Sequence, residues 1–267
     1  MLAAPVASPT NFERRSVSAS QASLSRTGSL GGTLKRGASL RHEPRPYVSR
    51  NPIKEEDLDV ILGWETDTGS DKWQKIKSVR EGTVWKKEMV EDGTWVLKAE
   101  LTAESVPFRK AVELITEIKH RKEWDCLHLH LDVVETVGHG NFKIIYSQMK
   151  MPAFCKKREF LEAMSQRVSD IESDCYHMLA FRSTTHPSVP PTKDIIRADD
   201  QLSGIIIRPV GDGMTSSKVT FIYRVKFRGS APRGMKKSYL ASQSVEMVRR
   251  MKKYYEKKKV EERIGKV

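Results

Sequence analysis

Apolar positions in this chain recur with two different spacings, and the places where the spacing changes divide it into elements. A spacing of three and four links Leu58, Ile61 and Leu62, then Phe108, Ala111, Val112, Ile115 and Ile118, and near the end Leu240, Val248, Met251 and Tyr255, flanked by Met247 and Tyr254. Such spacing keeps apolar side chains on one face of a helix. It predicts a short helix that begins in the acidic run Glu55-Glu56-Asp57 and ends at Gly63. It also predicts a helix over 108–122 with Ser105 as N-cap. The last helix, 233–263, is otherwise covered with Lys and Arg. Elsewhere the apolar residues alternate or form short runs: 73–79, 83–90, 94–102, 127–137, 142–151, 158–168, 175–184, 194–198, 204–209 and 218–227. Gly-containing turns at Glu81-Gly82, Asp92-Gly93, Gly138 to Asn141 and Gly211-Asp212-Gly213 separate several of them, as between strands of hairpins.

About nine strands with short connections imply an antiparallel sheet, so the fold class is α+β. A long curved sheet must cover its concave face, and a helix laid across it encloses a cavity. The 233–263 helix is long enough to do so, and Met247 and Met251 stand on its apolar side. The glycine-flanked segment Arg228 to Gly234, which includes Arg233, precedes it as a hinge.

The centre of the chain carries three short motifs in order: Arg121-x-x-Trp124-Asp125 at a helix end, Tyr146…Lys150…Pro152 at a strand end, and Arg158-Glu159-Phe160 opening the next strand. In order and spacing they resemble the START (StAR-related lipid transfer) domain, and the resemblance covers residues 54–263. It implies a helix-grip fold whose C-terminal helix closes a tunnel around one lipid, with no cofactor and no catalytic step. It further implies that the loop after Pro152 is part of the gate, at Met151, Ala153, Phe154 and Cys155. In the phospholipid-binding branch an Arg and an Asp face the tunnel at the positions of Arg121 and Asp125, which favours a phospholipid over a sterol or ceramide. Ser147 departs from the phosphatidylcholine branch, which has an aromatic residue there, and leaves the head group open. The Arg at position 158 is common in the family, and its expected task is pairing with an acid.

The residues admit other roles. Arg121 and Asp125 are four apart and share a helix face, so they can serve a ligand or pair with each other. Tyr146 can hydrogen-bond a ligand or pack, and alternation does not decide whether Arg182 points inward. His128 and His130 fall on one strand face, opposite Leu127, Leu129 and Leu131, but lack a third ligand at metal spacing. A helix-grip enzyme would need an acid/base pair in the cavity, which Arg121, Asp125 and Glu123 alone are expected to supply. A lipid-sensing module is the other alternative to a carrier.

Composition then narrows the setting. The net charge of +13 divides into +6 over residues 1–50, +8 over 233–267 and −1 over the body between them. A nucleic-acid groove would charge the body, so nucleic acid is not an expected partner, while an anionic membrane is. Residues 1–50 are rich in Ser and Arg without apolar periodicity, which marks a disordered tail before a domain over 51–267. Ser16, Ser29 and Ser39 follow basic residues at spacings that suit basophilic kinases, and a kinase or phosphoserine-reading protein is the partner implied. The same tail suits an organelle transit peptide. Three cysteines without a Cys-x-x-Cys pair suit a reducing, cytoplasmic setting with peripheral membrane association.

Overall fold

The structure, a computed structural model, describes residues 47–69, 72–89, 94–125, 127–138, 142–151, 155–230 and 233–264. Four helices are present among them: α1 (Glu55–Thr66), α2 (Phe108–Thr116), α3 (Ile118–Trp124) and α4 (Arg233–Ile264). Three strands follow α1: β1 (Trp73–Val79), β2 (Gly82–Glu88) and β3 (Trp95–Ala103). Beyond α3 lie β4 (His128–Val137), β5 (Phe142–Met149), β6 (Arg158–Ser169) and β7 (Tyr176–Ser183). Then come β8 (Ile196–Arg197), β9 (Asp199–Asp200), β10 (Ser203–Val210), β11 (Ser216–Tyr223) and β12 (Val225–Lys226).

The main sheet runs β1-β2-β3-β11-β10-β7-β6-β5-β4, antiparallel throughout, with the two-residue β8 added parallel to β6. Two hairpin meanders therefore meet at β3 and β11, where Leu101 pairs with Val219. The fold is α+β, as the two spacings predict.

Side-chain parity divides the sheet into two faces. Leu97, Ala99 and Leu101 of β3, Leu179 and Phe181 of β7, and Val219 and Phe221 of β11 join the core built with α2, α3 and α4. From α4 this core receives Leu240, Ala241, Val245, Met247, Val248 and Met251, the register its spacing predicts. On the opposite face Met178, Ala180, Ile206 and Ile222 meet Leu58, Ile61 and Trp64 of α1. We call these the inner and outer faces. Close approach of α1 requires Gly204, where a Cβ would stand 2.7 Å from Ile61 Cγ2.

Three local expectations change. The first helix passes through Gly63 to Thr66, because the two residues beyond it, Trp64 and Glu65, are buried against the sheet. That gain exceeds the cost of about 1 kcal/mol for glycine inside a helix. The single helix expected over 108–122 is two, broken at Glu117 with φ −85° and ψ 107°. The break frees the carbonyl of Leu114, which Trp124 Nε1 takes at 3.1 Å, so the break and Trp124 are one device. Ser105 is not the cap: it sits at φ 64°, its amide donates to Ser216 Oγ, and Pro107 occupies the N-cap position.

Tyr47 and Ser49, inside the stretch assigned to the tail, reach the body: Tyr47 donates to the Thr185 carbonyl and Ser49 to the Glu135 carboxylate. Ser16, Ser29 and Ser39 lie outside the described residues.

Candidate functional site

Between α4 and the inner face lies a cavity of about 80 Å³. Its walls are mainly apolar: Leu131, Ile145 and Met149 from the β4–β5 hairpin, Phe160 and Phe181, and Leu240 and Met247 from α4. Into this lining project Arg121, His128, Ser147, Glu162, Asp200, Ser203, Tyr223 and Gln243.

The break at Glu117 aims α3 so that Arg121 reaches this lining. Arg121 Nε donates to Asp125 Oδ2 at 2.9 Å, and His128 Nδ1 lies 2.8 Å from the same oxygen. The other carboxylate oxygen accepts the Leu127 amide. Burial works against ionisation of Asp125, but the charges of His128 and Arg121 and their hydrogen bonds outweigh it and hold the carboxyl well below its usual range. Arg121 and Asp125 thus pair with each other, while Arg121 also faces the cavity.

Glu162 and Asp200, absent from the expected set, hydrogen-bond to each other inside the cavity. Burial pushes Glu162 up to about 7, against the hydrogen bond from Asp200 and the charge of Arg121. Asp200 is raised well above its ordinary value by burial, then by the charge and hydrogen bond of Glu162, although Ser203 Oγ donates to it at 2.8 Å. Two carboxyls in contact disfavour each other's ionisation, so the pair holds a proton between them. Tyr223, whose hydroxyl is pushed up to about 12 chiefly by burial, feels Arg121, Asp125 and Asp200 together. The polar side chains therefore form one cluster. A sequence signal for Glu162 did exist: it alternates with Phe160 and Met164, so an acid stands on an apolar inner face. Asp200 sits on a two-residue strand and offers no such parity.

The remaining predicted positions separate. Met247 lines the cavity, whereas Met251, 1% exposed, is packed in the core beside it. Tyr146 and Arg182 lie on the outer face, because parity places their neighbours Ile145 and Phe181 inside. Tyr146 Oη donates to Glu159 at 2.7 Å, and Arg182 donates to the carbonyls of Pro52 and Gln201 and to Asp57 at 2.7 Å. Neither touches the cavity. Glu123 faces outward and accepts from Tyr254, so the acid/base pair present in the cavity is Glu162 with Asp200. His128 and His130 do not share a face: the ladder shifts register between them, His130 stacks edge-on against outer Tyr146, and Leu129 is left 48% exposed.

Arg158 is fully buried and meets no acid among the described residues; it donates to the carbonyls of Lys156, Phe227 and Arg228. It thereby ties the start of β6 to the hinge, where Arg228 at φ 47° and Gly229 at φ 62° turn the chain towards α4. Met151 and Cys155, at the ends of the gate loop, are both half-buried, and Met151 packs on the inner core. Tyr239 of α4 donates to the carbonyl of Lys150. Phe154 lies outside the described residues, and the side chain of Arg233, which opens α4, is not among those described.

The START domain profile matches residues 64–260. The human START domain-containing protein 10 is 24% identical over 217 residues, covering 74% of this chain and 71% of the relative. The bovine phosphatidylcholine transfer protein is 25% identical over 111 residues, 42% of this chain and 50% of that protein. Among solved structures, human StAR-related lipid transfer protein 5 superposes with a TM-score of 0.66 at 14% identity, covering 74% of this chain and 92% of the other.

Proposed function

This chain belongs to the START domain family, and from that premise we propose that it holds one lipid beneath α4 and carries it between membranes. One observation carries the reading: a cavity with apolar walls also encloses a cluster of buried polar groups, as an amphiphile requires. The walls replace the surroundings of acyl chains in a bilayer, and the cluster meets a head group. A phospholipid is favoured over a sterol or ceramide, because Arg121 can fork onto a phosphate. The phosphatidylcholine transfer protein among the relatives supports the same class.

Entry and exit require α4 to part from the sheet. The hinge at Arg228-Gly229 and the contact of Tyr239 with Lys150 bound the segment that has to move. The exposed cations of α4, such as Lys253, Lys257 and Lys259, dock the protein on anionic lipid, each contributing up to about 1 kcal/mol near the surface. No described helix is long and apolar enough to cross a membrane, so contact is peripheral in this reading, from the cytoplasmic side. The serines of the tail would let phosphate offset its cations and weaken that contact.

Native mass spectrometry of the protein purified from cells, followed by lipid extraction, tests this reading. One intact phospholipid per chain is the expected result. An empty protein that also fails to move phospholipid between vesicles overturns it, and recovery of cleaved lipid would replace the carrier by an enzyme.

A further inference from the structure

Inside the cavity an arginine stands beside two carboxyls and an amide oxygen that lacks a partner. Glu162 projects from β6 and Asp200 from β9, they share a hydrogen bond, and both line the cavity with Arg121. Across from them α4 contributes Gln243, whose Oε1 is fully buried and finds no hydrogen-bond donor among the described residues. A buried acceptor left unsatisfied costs about 1–3 kcal/mol and marks a place where a donor is missing. Three acceptor groups next to one guanidinium are arranged for a ligand that brings an anion and several N–H donors together.

We propose that Glu162, Asp200 and Gln243 form a subsite for the primary ammonium of a zwitterionic phospholipid head group, with Arg121 taking its phosphate. The inference rests on the lipid-carrying reading and names the head group. A primary ammonium carries three N–H donors, enough for two carboxylates and an amide oxygen. A quaternary ammonium has none and depends on aromatic faces instead. A serine head group carries the same ammonium but adds a carboxylate that the two carboxyls repel, and head groups such as inositol or glycerol bring no cation at all.

Binding the ammonium expels the proton that the pair shares, and that proton passes to water. The raised values of both carboxyls in the empty cavity fit this exchange. The groups acting on the pair are Arg121 of α3, neighbouring Asp199, and Tyr223 of β11; Asp125 and His128 complete the charged surroundings. Among the described residues α4 adds no charge to the lining. Preference for the ammonium therefore grows as pH rises from 6 to 8.

The experiment measures transfer of phosphatidylethanolamine and phosphatidylcholine with identical acyl chains between vesicles, at pH 6 and pH 8. Wild type, Glu162→Gln and Gln243→Leu are compared, with thermal melts as the folding control. The expected result is a several-fold faster transfer of the ethanolamine lipid by wild type, with a wider margin at pH 8. Both variants narrow that ratio, and Glu162→Gln removes its pH dependence. Equal transfer of the two lipids by wild type, or an unchanged ratio in both folded variants, overturns the subsite and leaves the carrier reading standing. If wild type moves neither lipid, the carrier reading and the subsite fall together.

Discussion

The two faces of the sheet handle charge in opposite ways. On the outer face the acids of α1 meet arginines of the sheet: Asp57 with Arg182 at 2.7 Å, Asp59 with Arg167 at 2.6 Å, and Glu65 with Arg208 at 2.8 Å. Glu159 is likewise shared by Arg197 and Tyr146. On the inner face two carboxyls meet each other, and an amide oxygen has no donor among the described residues. Matched charge fastens a helix to a sheet; in the ligand subsite proposed above, the unmatched polarity of the cavity waits for its counterpart.

The largest effect should come from adding charge to the inner face away from the cavity. Met251→Asp puts a carboxylate into the apolar inner core that holds Val248 and Leu240. The expected loss is about 3–5 kcal/mol, read as a collapse of cooperative unfolding in denaturant melts. Wild-type stability would show that the inner face accepts acid anywhere, and the contrast between the faces would fail.

Arg208→Ala removes a bidentate partner from Glu65, which is 3% exposed, and also releases Asp174. A buried carboxylate left alone should cost about 3 kcal/mol, a fall in Tm of roughly 6–12 °C. Lipid carried per folded molecule should stay constant. A change in lipid selectivity at constant stability would place Arg208 in the site instead.

Glu162→Gln tests the inner face through pH. The folded chain holds Glu162 at about 7 against an ordinary value of 4.5, so it binds a proton that the unfolded chain has released. Stability from this group is complete below the ordinary value and is lost as pH rises through the folded value. Wild type should therefore melt at falling temperature from pH 5 to pH 8, and Glu162→Gln should flatten that slope. A parallel slope in both proteins would remove Glu162 from the pair. Smallest of all, Lys252→Asp should leave the melt within a degree or two, since Lys252 makes only loose contacts with Glu104 and Glu256. Its effect should appear as weaker binding to anionic vesicles at low salt, and unaltered binding would take this stretch of α4 off the membrane surface.

The sequence displayed the inner face better than the outer. Period-two runs gave the strands their parity, and the three-four spacing of Leu240, Val248 and Met251 gave α4 its register. The acids opening α1 carried a second meaning that spacing could not express: their partners are arginines more than a hundred residues away, visible only after folding. Tyr146 and Arg182 were misplaced for a related reason. Motif resemblance attached Tyr146 to a ligand and alternation left Arg182 undecided, whereas in the folded strands both side chains turn to partners on the outer face. The bulge at Leu129 was illegible because one inserted residue reverses every side chain beyond it without altering composition. The Glu162–Asp200 pair was half legible, since only Glu162 lies in a strand long enough to show alternation.

The meeting of β3 with β11 has a consequence for how the molecule comes into being. Ala103 pairs with Ser217 across more than a hundred residues of chain, so the sheet cannot close until β4 to β10 have been made. Long-range pairing of this kind slows folding and leaves apolar surface waiting. α4 follows every strand in chain order, and it alone supplies Leu240, Met247 and Met251 to the inner core. A nascent chain that emerges from its N-terminus therefore presents a finished sheet whose inner wall has α2 and α3 but still lacks α4. During that interval whatever apolar partner meets the wall competes with α4 for the same surface, so occupancy of the cavity and completion of folding are coupled in time.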